Sequence, residues 1–263
     1  MYSFAEIWGQ IEVLKKQGRV QSNLYSNAHV ILDHLDEAVF TNKTILATFL
    51  DHGVRRLYYY TLDFSDITAA AEKLSSGVCV LEFMTRDPSE YRDFLQSAGF
   101  LPLAGMMRMA VDDCAAAFQN PEISGFYNAS IGYYPDETEA EEINRILWQV
   151  FDTRISHLCT DEEIVDALRK REITIHRDEN RTIEAVLQAV VNPKKFYINQ
   201  IYNGTEKRII HAMLLNRLKA YIDAGGKYAY AWVAEDNNVS IKFHKKYGFL
   251  PDGMWNMVYQ LKG

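Results

Sequence analysis

The side chains able to do chemistry are few and scattered. His244 stands in the basic run Lys242–Lys246, and an imidazole with an ordinary pKa of roughly 6.5 exchanges a proton near neutral pH. It is also readable as one more polar group on a solvated helix face. Lys207 and Arg208 open a long helical pattern, where two cations could meet an anion or simply face water. Glu184 lies in an apolar strand-like run, as a proton acceptor or as an outward-pointing, solvated carboxylate. Cys79, Cys114 and Cys159 form no CxxC pair and have no neighbouring His pair. That spacing fits neither a disulfide framework nor a structural zinc site. His29 and His34, at i and i+5, share a helical face poorly, and no carboxylate completes a metal set, so no metal is expected. Neither Gly-x-Gly-x-x-Gly nor Gly-x-x-x-x-Gly-Lys occurs, which removes the common dinucleotide and P-loop readings. Gly-x-Ser-x-Gly and a convincing Cys/His/Asn set are missing as well.

The elements that would position these groups repeat. Gly99-Phe100-Leu101-Pro102 recurs as Gly248-Phe249-Leu250-Pro251, and the same offset pairs Gly77 with Gly226, Asp87 with Asp236 and Phe94 with Phe243. Each copy reads helix, Gly, apolar strand, polar loop, short helix, Gly-Phe, strand. A repeat of this length is a domain rather than a solenoid unit. The pattern places a boundary in Phe118–Ser124, dividing the chain into residues 1–117 and 126–263. In the first part, Phe4, Ile7, Trp8, Ile11 and Leu14 form a helical stripe, followed by strands at Thr44–Leu50 and Arg56–Leu62 and a helix at Ser65–Leu74. In the second, Ala129–Tyr134 reads as a strand. Asp136 with Glu139 and Thr160 with Glu163 spell two capping boxes ahead of apolar stripes. Strands follow at Glu172–His176, Ile183–Val191 and Phe196–Tyr202, then a helix from about Thr205 to Ala224. Gly225-Gly226 stops that helix. Tyr228–Ala234, apolar at nearly every position, reads as a strand covered on both faces, and Met257–Leu261 as the last strand.

The chain has 263 residues, 48% of them hydrophobic, which suffices for one large or two smaller cores. A net charge of −7 argues against general affinity for nucleic acid or an anionic membrane. No apolar run reaches the roughly 18 residues of a membrane span. The amphipathic start MYSFAEIWGQIEVLKK is not a signal peptide pattern, so the cytoplasm is the expected location.

The order of elements, together with the segment Val233–Phe249, resembles the GNAT superfamily of acyl-CoA-dependent N-acyltransferases. The family's late segment reads roughly Asn-x-x-Ala-Ile-x-Leu-Tyr-x-x-x-Gly-Phe, and Asn237-Asn238-Val239-Ser240-Ile241-Lys242-Phe243-His244-Lys245-Lys246-Tyr247-Gly248-Phe249 follows it without gaps. The resemblance covers residues 126–263 well and, through the repeat, extends more weakly to residues 1–112. It implies an α+β (mixed α/β) chain of two GNAT-like domains, each a central mixed, mostly antiparallel sheet flanked by helices, the first diverged and shortened. It also implies acetyl transfer from acetyl-CoA to an amine, with a small molecule or peptide as acceptor. The pyrophosphate would be held by backbone N–H groups at the start of the long helix, and the pantetheine would lie between two splayed strands.

The same resemblance assigns residues. Ile201 and Tyr202 fall at the end of the strand. Glu206 takes the place of an Arg. Lys207, Ile209 and His211 stand where the family often has Gly, with Lys207, Arg208 and His211 available to offset Glu206. Asn237 or Asn238, with Ser240 and Phe243, fall along the pantetheine, although the Asn could be only a helix cap and Phe243 only core. His244 occupies the position of the family's Tyr, the proton donor to the leaving thiolate. Glu184 is the substitute for a strand carboxylate that Phe196–Tyr202 lacks. The substituted glycines and the absent Tyr leave a second reading open, a GNAT-fold binding or interaction protein without catalysis. A homodimer also stays open.

Overall fold

The computed structural model describes residues 4–23, 35–51, 53–74 and 77–261; His29 and His34 lie outside them. The chain divides into two compact units, Met1–Gly105 with Met254–Gly263, and Met106–Gly253.

In the first unit, β2 (Leu35–Phe40), β3 (Thr44–Asp51) and β4 (Val54–Thr61) form an antiparallel meander. β5 (Cys79–Thr85) joins β4 in parallel, and the Trp255–Leu261 part of β11 (Leu250–Leu261) closes the order antiparallel to β5. The short β1 (Gln21–Ser22) pairs with β4. Residues 44–49 of β3 are all buried because both faces are covered. Ile45 meets Ile7, Ile11 and Leu14 of α1 (Phe4–Gln17). Leu46 on the opposite face joins Ile67, Ala70 and Ala71 of α2 (Asp66–Ala71) and Leu95 of α3 (Arg92–Ser97).

The second unit repeats that order. β7 (Ile173–Arg177), β8 (Ile183–Asn192) and β9 (Lys195–Asn203) are antiparallel. β10 (Ala229–Ala234) joins β9 in parallel, and residues 106–111 of β6 (Phe100–Val111) close the order antiparallel to β10. Each unit therefore completes its sheet with a strand from the other half of the sequence, so the compact units are not the contiguous stretches 1–117 and 126–263. A crossover between parallel strands is usually made by a helix. Here it is α2 in the first unit and the long helix after β9 in the second.

The α4 turn (Pro121–Ser124) follows a 3-10 segment, Cys114–Gln119. Both capping boxes form as the sequence spells them. One leads into α5 (Ala140–Val150) and the other into α6 (Asp161–Arg169), and these helices cover one sheet face through Ile143, Leu147, Ile164 and Leu168. The other face is covered by α7 (Lys207–Asp223), buried around most of its circumference, with α8 (Asn238–Lys246) following β10. Ala129–Tyr134 is not a strand: only Tyr133 bridges to Ile175. The Asn128 side chain accepts from the Ser130 N–H and hydroxyl, a local turn that competes with a ladder, and Gly132 turns the chain at φ 79°.

Candidate functional site

The ladder between β9 and β10 is short. It pairs Ala229↔Phe196, Tyr230↔Tyr197 and Ala231↔Ile198 and then stops, although the strands continue to Asn203 and Ala234. The cause lies on the other edge of β9. Its register against β8 jumps from Gln188↔Gln200 to Ala189↔Ile198, which makes Asn199 an extra residue. Such a bulge bends the strand and re-aims the residues beyond it. The faces confirm it, since Phe196 and Ile198 point toward the α7 core while Tyr202 packs on the α5–α6 side. In this stretch Gln200 Oε1 and Asn203 Oδ1 are buried without a hydrogen-bond partner.

β9 leads through a short turn into the N-terminus of α7. Unlike the two boxed helices, α7 has no side-chain cap: Glu206 at the N-cap position makes no such bond, and the first turn carries no acidic residue. Helix-start N–H groups left without a side-chain acceptor, with the positive end of the dipole, suit an anion on general grounds. Lys207 and Arg208 add two exposed cations that make no ion pair among the described residues. Arg208 also lines a cavity of about 550 Å3 with Gly125, Phe126, Tyr127, Asn128, Ala129 and Ile131. Asn216 Nδ2 ties that loop to α7 by donating to the carbonyls of Asn128 and Ile131.

His211 stands one turn further along α7. It is buried in an aromatic stack, with its ring centroid 5.0 Å from Phe126, 4.9 Å from Phe243 and 5.7 Å from Tyr247. Its Nδ1 is 2.7 Å from the Tyr247 hydroxyl. Burial, with Lys246 and Lys207 nearby, pulls its pKa down to about 4. A neutral, packed ring cannot offset Glu206, so the expectation that His211 meets a phosphate is corrected: the side chain packs α7 against α8. Phe243 belongs to the same stack. Ile201 and Ile209, both half-buried, pack against the α7 core. The Tyr202 hydroxyl lies over Gly204, in space that a Cβ there would take.

On α8, Asn237 is the N-cap, its Oδ1 accepting from the Ser240 N–H at 3.0 Å. The Ser240 carbonyl lies 2.8 Å from His244 Nδ1. A carbonyl can only accept, so Nδ1 carries the proton, and in the neutral ring Nε2 is a bare acceptor. That Nε2 is buried with no partner. Desolvation takes the His244 pKa down to about 4, against the opposing pull of the Ser240 carbonyl. The ring is thus neutral at pH 7, which changes the chemistry expected of it from donating a proton to accepting a hydrogen bond. Glu184 stands at a second register jump, between Ala185↔His176 and Ile183↔Arg177. It shares no hydrogen bond or ion pair with His244 among the described residues. Tyr247 and Phe126 were not singled out by spacing; an aromatic immediately before the Gly-Phe pair and another after Gly125 were the only signals.

No protein-family model matches the sequence, and no curated protein matches it. Solved structures do match. The tandem GNAT protein of the clavulanic acid biosynthesis pathway aligns over 96% of this chain and 93% of its own at TM-score 0.53 and 13% identity. A GCN5-related N-acetyltransferase from Sphaerobacter thermophilus covers 83% and 76% at TM-score 0.55 and 11% identity. A conserved protein of unknown function from Enterococcus faecalis V583 covers 98% and 70% at TM-score 0.56 and 10% identity. The fold is that of the GNAT proteins. The likeness is one of architecture.

Proposed function

We propose that the chain is an acyl-CoA-dependent N-acyltransferase that moves an acetyl group from acetyl-CoA to an amine, with its site in the Met106–Gly253 unit. The carrying observation is the ladder that ends at Ala231↔Ile198 on the strand that leads into an uncapped helix start bearing Lys207 and Arg208. Acetyl-CoA supplies a thioester carbonyl that a neutral amine nitrogen attacks. The chain's part is to hold and orient. The α7 N–H groups with Lys207 and Arg208 would take the pyrophosphate, and the gap between Asn199–Asn203 and Trp232–Ala234 would take the pantetheine. Ile201 and Tyr202 would line the gap on the β9 side, with Ser240 and Asn237 on the α8 side. His244 Nε2 is sealed in this structure, so it would accept a hydrogen bond from the reacting amine or from the thiol released only once the strand gap opens onto it.

Glu206, and the Cβ-bearing side chains at Lys207, Ile209 and His211, keep a phosphate further from the backbone than glycines would, so modest affinity is expected. A second reading, a GNAT-fold binding protein, draws on one observation: the neutral His244 leaves no proton donor on α8 at the expected position. Calorimetric titration with acetyl-CoA, followed by mass spectrometry of an amine panel, separates the two. Binding with an acetylated product supports the enzyme, whereas binding without product, or silence toward CoA and all acyl-CoAs, overturns it in favour of the second reading.

A further inference from the structure

The parallel pair of the first unit also diverges, but its gap is filled. β4 and β5 pair at Arg55↔Cys79, Arg56↔Val80 and Leu57↔Leu81, then run on to Thr61 and Thr85. One side chain meets the backbone where they part. Asn23 Nδ2 donates to the Leu57 carbonyl at 2.9 Å and to the Glu82 carbonyl at 2.7 Å, and Asn23 Oδ1 accepts from the Tyr59 N–H at 2.8 Å. The partners fix the amide's orientation, because a flipped group would set NH2 against N–H and oxygen against two carbonyls. Asn23 is 5% exposed, delivered by β1, whose Gln21 and Ser22 pair with Thr61 and Tyr60. In the second unit, by contrast, Asn199–Asn203 and Trp232–Ala234 share no hydrogen bond among the described residues, and Gln200 Oε1 there has no partner. The helix after β4 is also unsuited to an anion. Asp63 and Asp66 flank its start, and Ser65 and Lys43 hold the Asp63 carboxyl well below the usual carboxylate range.

We propose that the Asn23 carboxamide is a built-in occupant of the first unit's strand gap, standing where a ligand's amide would, so that this unit is a closed copy and the chain takes one acyl-CoA, through the second unit. The stoichiometry rests on the acyl-CoA reading above; the assignment of Asn23 does not.

The test uses the full chain, wild type and Asn23→Ala, with acetamide as the probe. Asn23→Ala should melt several degrees lower, because three backbone groups, two of them in fully buried bonds, lose their partner. Millimolar acetamide should recover part of that loss in Asn23→Ala and give the wild type nothing, since only the emptied gap admits a free carboxamide. Acetamide that shifts both proteins equally, or neither, overturns the assignment. If Asn23→Ala does not fold, amide exchange in the wild type decides. A Tyr59 N–H as protected as its β3–β4 ladder neighbours supports a filled gap, and exchange at loop rates overturns it. Calorimetry should give one acetyl-CoA per chain, and two overturns the closed copy. No acetyl-CoA binding at all removes the stoichiometry together with the acyl-CoA reading, while the acetamide result still judges Asn23.

Discussion

At the scale of single residues, two buried histidines set a pH dependence. His211 and His244 have their pKa lowered from 6.5 to about 4, in both mainly by desolvation. Between those values the unfolded chain binds protons that the folded chain excludes, so stability is full above pH 6.5 and falls as pH drops toward 4. The loss is about 3 kcal/mol per ring at the lower end. Urea denaturation at about pH 7.5 and about pH 4.5 checks it, with His244→Gln expected to lose about half of the wild type's histidine-linked difference. Lys207 carries a separate prediction. Lys207→Glu should weaken acetyl-CoA binding about tenfold at low salt and flatten its salt dependence. Unchanged calorimetry would return Lys207 to a solvated helix face. The sequence showed where these groups stand in the order of elements, but not their surroundings. The position of His244 was legible from its distance to Gly248-Phe249, whereas its tautomer depends on the Ser240 carbonyl. His211 looked like a phosphate ligand because spacing cannot tell which side of α7 meets α8.

At the scale of elements, the repeat survives in backbone conformation. Gly99 and Gly248 both follow a helix with φ 83° and φ 84°, and each is followed by a fully buried Phe, Phe100 and Phe249. A left-handed residue after a helix favours glycine because a Cβ there is strained. A Cβ added at either position would meet only ordinary contacts, Leu261 Cδ1 at 3.7 Å and Val111 Cγ2 at 3.6 Å, so the cost is conformational. Gly99→Ala and Gly248→Ala should each cost about 1 kcal/mol. Because Phe100 and Phe249 sit in different cores, the double variant should cost the sum. Denaturant midpoints of the two single variants and the double test this, and a strongly non-additive result would show that the two turns are coupled. Elements with local signals were the legible ones: the capping boxes, the glycine stops and the long apolar strands. Ala129–Tyr134 was misread because its alternation mimics a strand, while the Asn128 turn and Gly132 divert the backbone.

At the scale of the whole molecule, strand exchange has a consequence that no local pattern shows. Periodicity identifies a strand but not its partner, so a contiguous cut at Phe118–Ser124 looked natural. That cut separates β5 from the Trp255–Leu261 segment that pairs with it over seven register positions. It also separates β10 from residues 106–111 of β6, which pair with it over six. A fragment ending at residue 117 would expose the β5 edge and lose Met257 and Tyr259 from its core, where both are buried. A fragment starting at residue 118 would lose Met109 and the β6 edge from the α7 core. Unpaired central edges and opened cores leave each piece unstable and prone to associate. Residues 1–117 and 118–263 expressed alone should therefore be insoluble or lack a cooperative transition. Coexpressed, they should copurify and recover one, because each carries the strand the other needs. Size exclusion and thermal unfolding of the single and mixed fragments decide it. A monomeric, cooperatively folding fragment from either half would show that the exchanged strands are dispensable and that the contiguous halves are independent folding units.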